Sequence, residues 1–379
     1  MSEYQYYEFQ AIDRPLDPEA KAALRAISTR AHITATGFVN SYEWGDLKAD
    51  PRDMLKRHFD LFLYLANWGS RRFALKLPRR LVDLEALDRF QIDDEVADIK
   101  VAGAHLIIDI RREEVEAEDW DDGSGRLTAL APLRADLLAG DLRLFVLLWL
   151  IQVENGHARN ETRMPSPGLG TLSGPLAALA DFLAIDGDLL KAATQATAAS
   201  PAEPSADEVE AFLRTLAEEE KILWLRRLYE NADPHLGTAL RRRCREALTG
   251  SGGTRGSGGL PTAGDLRAAT KRIAAERRRA AADRAEEERQ RREREQAEAR
   301  TARLTAVTQR GEAAWREVEQ QIELRNATGY DRAAALLADL AAIADQQGEG
   351  DSFARRLADI RGRHARKGRF IERLDALRG

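Results

Sequence analysis

Hydrophobic and polar positions alternate along the first part of the chain and then change period. In Tyr4 to Ile12, the residues Tyr7, Phe9 and Ala11 share one side of an extended strand, as a two-residue repeat requires. Asp17-Pro18 predicts a helix start, with Asp as N-cap and Pro as the first helical residue, ahead of a stripe that includes Leu24 and Ile27. His32 to Trp44, rich in Thr, Ile, Phe and Val, reads as a strand, and Asp50-Pro51 repeats the helix-start chemistry before Met54 and Leu55. Leu61 to Ala66 and Arg72 to Leu77 read as two strands joined by the turn Asn67-Trp68-Gly69-Ser70. A further strand runs through Ala104 to Ile110. This order predicts a mixed α/β domain over residues 1–115, a small sandwich of ferredoxin-like arrangement.

Residues 127–249 read as a helical domain. Leu127 to Val153 predicts two helices broken near Gly140, Pro165 to Gly174 is a Pro/Gly loop, and Leu176 to Ala198 is helical in part before Pro201 and Pro204. Ser205 and Glu208 form a capping-box pattern, and Val209, Phe212, Leu213 and Leu216 behind it fall on one helix face. Two helices follow, around Ile222 to Tyr229 and Leu236 to Leu248.

Gly250 to Gly259, within a linker over 250–263, is Gly/Ser-rich and offers nothing for a core. Residues 264–310 are an Arg/Glu/Ala helix with the favourable pairs Glu287–Arg291 and Glu288–Arg292. Its apolar positions are nearly all Ala, which argues for a solvated spacer of roughly 70 Å rather than a coiled coil. Residues 311–379 regain apolar stripes: Trp315, Val318 and Ile322; Ala333, Leu337, Leu340 and Ile343; Phe353, Leu357, Ile360 and His364. Three short helices of this kind bury their stripes against one another as a small interaction module. The expected fold class is α+β, with a long charged helix and a C-terminal helical hairpin module.

Composition sharpens this picture in three ways. Charged residues make up 32% of the 379 positions, which favours long solvated helices. Net charge is −5, but residues 261–379 hold 26 Lys and Arg against 21 Asp and Glu, so an acidic body of −10 carries a mildly basic C-terminal part. The single cysteine, Cys244, has no disulfide partner and continues the four-residue series Leu236, Leu240, Cys244, Leu248, the mark of a buried helical seam. The first ten residues lack the order of a secretory signal, and the apolar run Leu144 to Val153 is about half the length that crosses a bilayer. A cytoplasmic protein with no membrane partner is expected.

Beyond Tyr330, Tyr330-Asp331, Phe353, Arg356-Leu357 and the turn Arg363-His364-Ala365-Arg366-Lys367, together with the preceding Trp315 helix, resemble the C-terminal tail of bacterial SWIM zinc-finger proteins. The match covers under a fifth of the chain. The family's paired C-x-C and C-x-H zinc signature is absent, because Cys244 stands alone. The resemblance therefore implies a shared interaction module beside nucleic-acid enzymes, without the zinc site. The opening YQYYEFQAIDRPL resembles the start of an uncharacterised bacterial family.

Candidate chemistry is sparse. His32, His58, His105, His157, His235 and His364 show no ligand spacing, and the loop Gly168 to Gly174 lacks the Lys of a P-loop. Glu118, Asp119, Asp121 and Asp122 lack the spacing of a calcium loop. The sharper candidates are cationic. Arg71, Arg72, Lys76, Arg79 and Arg80 flank a strand with Trp68 and Phe73 among them, the combination of phosphate contacts and base-stacking rings found in single-strand binders. The alternation of Arg72, Ala74 and Lys76 against Phe73, Leu75 and Leu77 is equally that of any strand with one solvated face. A second cluster comprises Arg361, Arg363, Arg366, Lys367 and Arg369, where a basic helix end also complements the helix dipole. No catalytic residue, metal site or cofactor is expected. The leading reading is a non-enzymatic interaction or scaffold protein bridging other proteins through its N- and C-terminal modules. The alternatives are a nucleic-acid-associated accessory factor with weak, salt-sensitive binding at the basic clusters, and an enzyme of unrecognised type.

Overall fold

A computed structural model describes residues 3–115, 120–197, 205–230, 233–250 and 259–376. Most of the Gly250 to Gly259 linker, Glu118 and Asp119 of the acidic loop, Ala198, and Pro201 and Pro204 lie outside the described residues. The chain divides into two compact units, Met1–Glu276 and Arg277–Gly379.

The first unit is organised around β1 (Gln5–Gln10), β2 (His32–Ile33), β3 (Gly37–Tyr42), β4 (Leu61–Ala66), β5 (Arg71–Pro78), β6 (Ala97–Ala102) and β7 (His105–Arg112). They form a seven-stranded sheet in the order β2-β3-β1-β4-β5-β7-β6. Every neighbouring pair is antiparallel. A ferredoxin-like unit sets the two strands that flank each helix parallel, with a third strand between them. Here β1 and β2 flank the helix Pro18–Ile27 with β3 between them, and β3 and β4 flank the helix Pro51–His58 with β1 between them, so the first four strands follow that topology and β5, β7 and β6 extend the sheet. Strand β6 is the edge strand that sequence periodicity does not reveal. It is partly exposed and closes a hairpin with β7 at Gly103, whose φ of +63 suits glycine.

Helices cover both faces of this sheet, which is why β4 reads as an unbroken apolar run. On one face, Phe9 and Phe62 pack with Leu24 of α1 (Pro18–Ile27) and with Met54 and Leu55 of α2 (Pro51–His58). Both helices start as expected: Asp17 accepts from the Ala20 N–H and Asp50 from the Arg52 N–H, each followed by Pro. The opposite face presents Leu63, Phe73, Leu75 and Ile108 to a helical layer. After the short α3 (Leu84–Asp88), that layer comprises α4 (Arg126–Leu130), α5 (Pro132–Leu138), α6 (Arg143–Glu154), α7 (Gly174–Phe182) and α8 (Gly187–Gln195). The expected break at Gly140 is present, and Pro132 adds a second one at the start of α5. Helix α6 is buried on all sides from Leu144 to Val153. Its Gln152 Oε1 accepts the Asp93 N–H at 2.8 Å.

Helices α9 (Ala206–Thr215), α10 (Glu218–Glu230) and α11 (Leu236–Gly250) follow. The Ser205–Glu208 capping box is complete, and Phe212, Leu216 and Cys244 make a small separate cluster. Helix α12 (Ala263–Arg310) begins in the first unit, where Ala263, Leu266 and Ile273 join the main core. The stretch read from sequence as a solvated spacer thus opens as a core helix. Residues 277–303 of α12 are exposed apart from half-buried Glu286. In the second unit, Leu304 and Val307 of α12 pack with α13 (Glu312–Glu323), α14 (Ala327–Gln347), α15 (Gly350–Arg363) and α16 (Gly368–Ala376). The last of these helices, holding Phe370 and Leu374, extends the three stripes seen in sequence.

Because Leu266 is 1% exposed within the main core, Leu266→Ala should lower unfolding free energy by about 2–5 kcal/mol in a denaturant titration of the first unit's transition. A loss below about 1 kcal/mol would mean that the start of α12 is not part of that core.

Candidate functional site

The basic stretch around β5 is divided by the strand's own alternation. Phe73 points into the main core and is fully buried, so its ring is not presented to a ligand. Arg71 lies buried on the same face and donates to the Ala66 carbonyl at 3.1 Å. Burial pushes its guanidinium below the usual range. Arg72 and Lys76 lie on the opposite face, each in a separate ion network.

Arg72 meets Asp109 of β7, which is 1% exposed, through two parallel hydrogen bonds of 2.7 Å. The strand register explains the pair. Asp109 stands opposite Ala74 in β5, so Arg72 is its diagonal neighbour on the same face. Asp109 also stands directly opposite Asp98 of β6, an arrangement of like charges that alone would be unfavourable. Arg52 of α2 resolves it by donating to both carboxylates, at 2.7 Å and 2.8 Å. Arg111 adds a fourth contact to Asp109 at 3.1 Å. Burial alone would raise the Asp109 carboxyl, but Arg72, Arg52 and Arg111 outweigh it and hold it at about 2.

Lys76 is buried among the last carbonyls of α2, donating to Leu55 at 3.1 Å, with Asp60 at 3.4 Å. Asp60 in turn accepts the backbone N–H groups of Ile12 and Asp13 at 2.7 and 2.9 Å. Burial raises the Asp60 carboxyl; those two N–H groups and Lys76 reverse the shift and hold it low. Burial likewise lowers Lys76, against the pull of Asp60. Buried Arg134 of α5 bonds the Lys76 carbonyl at 2.9 Å and Asp13 at 2.7 Å. His235 completes the chain at 3.1 Å from Asp13. This network ties the first strand, α5 and the segment before α11 to one end of β5. Arg80 extends the tie through Asp233 at 2.8 Å, and Arg79 is exposed beside it.

Trp68 is exposed in the hairpin turn, and its indole N–H donates to Ser70 at 2.9 Å. Ser70 in turn donates to the Glu113 carboxylate. Asn67 and Tyr4 are joined through their backbones, Tyr4 packs on exposed Trp120 with centroids 5.0 Å apart, and Asp122, Asp121 and Glu43 all act on the Tyr4 hydroxyl. A phosphate approaching Trp68 would meet carboxylates. In the second unit, Arg363 pairs with Glu319 at 2.7 Å and Lys367 with Glu323 at 2.8 Å, while Arg366 is exposed. His364 is buried against Glu319 at 2.8 Å. Of the sequence-derived cations, Arg72, Lys76, Arg80, Arg363 and Lys367 are thus matched to carboxylates, Arg71 is buried against a backbone carbonyl, and Arg79 and Arg366 stay exposed.

Other candidates resolve in the same manner. The Gly170 N–H is taken by the Thr197 hydroxyl at 2.8 Å in a buried loop. Asp121 pairs with Arg126 at 2.9 Å. Among the described residues, no group of three or more His, Cys, Asp or Glu could hold a metal ion, and no helix is long and apolar enough to cross a membrane.

What sequence reasoning missed is the exposed apolar side of α10, a helix it did expect around Ile222 to Tyr229. Ile222, Leu223, Leu225, Leu228 and Tyr229 are all exposed on a helix that has no buried residue. Trp224 and Arg227 form its half-buried side, with the guanidinium 5.2 Å from the indole and paired to Asp233 at 2.9 Å. The signal was present in the segment ILWLRRLY, whose apolar residues span too wide an arc for a helix that packs on one side only.

The Asp109 carboxyl sits below its ordinary value of about 3.9. Its stabilisation is therefore complete above about pH 4 and is lost as pH falls through about 2. Asp109→Asn should cost about 3 kcal/mol at neutral pH by leaving the half-buried Arg72 and Arg52 without their counterion. Its thermal midpoint should also fall less steeply between pH 4 and pH 2 than that of the unaltered chain. Equal slopes would show that this carboxylate does not carry the network.

Comparison with known proteins found no match among protein families, curated proteins or solved structures.

Proposed function

We propose that this chain is a non-enzymatic interaction protein, a scaffold that joins partners through contacts on its two units. The observation that carries this reading is α10: a helix of 13 residues whose outer side is apolar, with Ile222, Leu225, Leu228 and Tyr229 exposed among the described residues. Leaving several large apolar side chains in water is costly, roughly 1.5–3 kcal/mol for each one that a partner could bury fully. The second unit supplies the other contact. Its sequence resembles the tail of bacterial SWIM zinc-finger proteins, and its helices hold Trp315 half-buried with Arg356 over the ring at 4.5 Å. The nucleic-acid alternative loses support, because Arg72, Arg80, Arg363 and Lys367 are matched to carboxylates and Arg71 and Lys76 are buried.

The test is site-specific photo-crosslinking of the full chain in its own cells, with benzoylphenylalanine at position 225 of α10, at 366 of the second unit, and at exposed position 287 as control. Adducts to other polypeptide chains are expected at 225 and 366 well above the control. Adducts no more abundant than at 287 would remove the basis of the scaffold reading.

A further inference from the structure

We infer that α10 pairs antiparallel with α10 of a second copy of this chain. The inference rests on the scaffold reading and names the partner of its main surface. Ile222, Leu225, Leu228 and Tyr229 are 57%, 64%, 64% and 91% exposed. They recur at spacings of three and four, which draws a narrow seam along one side of the helix. A seam of that width fits one other helix lying alongside, as in a coiled-coil pair, better than a broad groove or sheet.

Charge selects which helix. The first turn of α10 carries Glu218, Glu219 and Glu220, and its last turn carries Arg227, with Arg226 just before it. A second α10 laid antiparallel sets the acidic turn of each copy beside the basic turn of the other. A parallel copy would set like charges together. A two-fold axis perpendicular to the helices generates the antiparallel pairing and makes each contact twice. A helix lying on an anionic membrane would instead carry Lys and Arg along its polar face, and three successive glutamates oppose that. Glu219 and Arg226 are exposed, so they are free to reach across the seam; Arg226 keeps only a 3.7 Å contact with Glu230 in its own helix.

One helix pair buries less than the roughly 1,200 Å² of a stable interface. The dimer is therefore weak and concentration-dependent, with a dissociation constant on the order of micromolar. It would present two second units together, so a partner with repeated sites would gain by avidity.

Sedimentation velocity of the full chain, across a concentration series spanning the micromolar range, tests this. The unaltered chain should shift from monomer to dimer, and Leu225→Glu should stay monomeric with an unchanged circular dichroism spectrum. Glu219→Arg and Arg226→Glu should each weaken the dimer by about tenfold. An equimolar mixture of those two variants should recover it, because both cross-helix contacts become attractive again in the mixed dimer. A chain that is monomeric throughout overturns self-pairing; the scaffold reading then stands or falls separately, on whether the adduct at position 225 is a foreign chain. A dimer indifferent to Leu225→Glu overturns the assignment to α10. Failure of the mixture to recover overturns the antiparallel arrangement.

Discussion

Most of the β-sheet is covered on both faces, while its β6 edge, with Lys100, reaches water. α1 and α2 close one side and α4 to α8 the other, so each charged side chain that the strands direct inward must find its counterion inside the protein. Asp109, almost fully buried, gathers Arg72, Arg52 and Arg111. Lys76 finds Asp60 and the end of α2, and Arg134 finds Asp13. These networks are tolerated because their geometry is well satisfied; an unmatched member would be strongly destabilising.

That constraint decides which surfaces remain for partners. Cations committed to internal carboxylates are not available to phosphates, and the Trp68 indole is tied through Ser70 to the Glu113 carboxylate. What the fold leaves open is apolar: the outer side of α10, held to the body through Arg243–Glu220 at 2.9 Å and Arg227–Asp233 at 2.9 Å. These ion pairs tie α10 to its neighbours without covering its apolar side.

Local chemistry was legible in the sequence, and long-range pairing was not. The helix starts at Asp17-Pro18 and Asp50-Pro51, the capping box at Ser205 and the seam position of Cys244 depend on neighbours within a few residues. The α+β class followed from the switch in apolar period. The Arg72–Asp109 pair spans 37 positions and Arg134–Asp13 spans 121, and no local pattern announces either. Strand β6 escaped notice because an edge strand with half-buried residues need not alternate cleanly. The exposure of α10 depends on what fails to pack against it, and no single segment encodes that.

The claim on which this account rests is that Arg72 belongs to the fold and not to a ligand site. A double-mutant cycle with Arg72→Met and Asp109→Leu, read by equilibrium unfolding, measures it directly. The account predicts a double-variant loss well below the sum of the two single-variant losses, with a coupling of about 2–3 kcal/mol. Losses that add to within about 0.5 kcal/mol would contradict it.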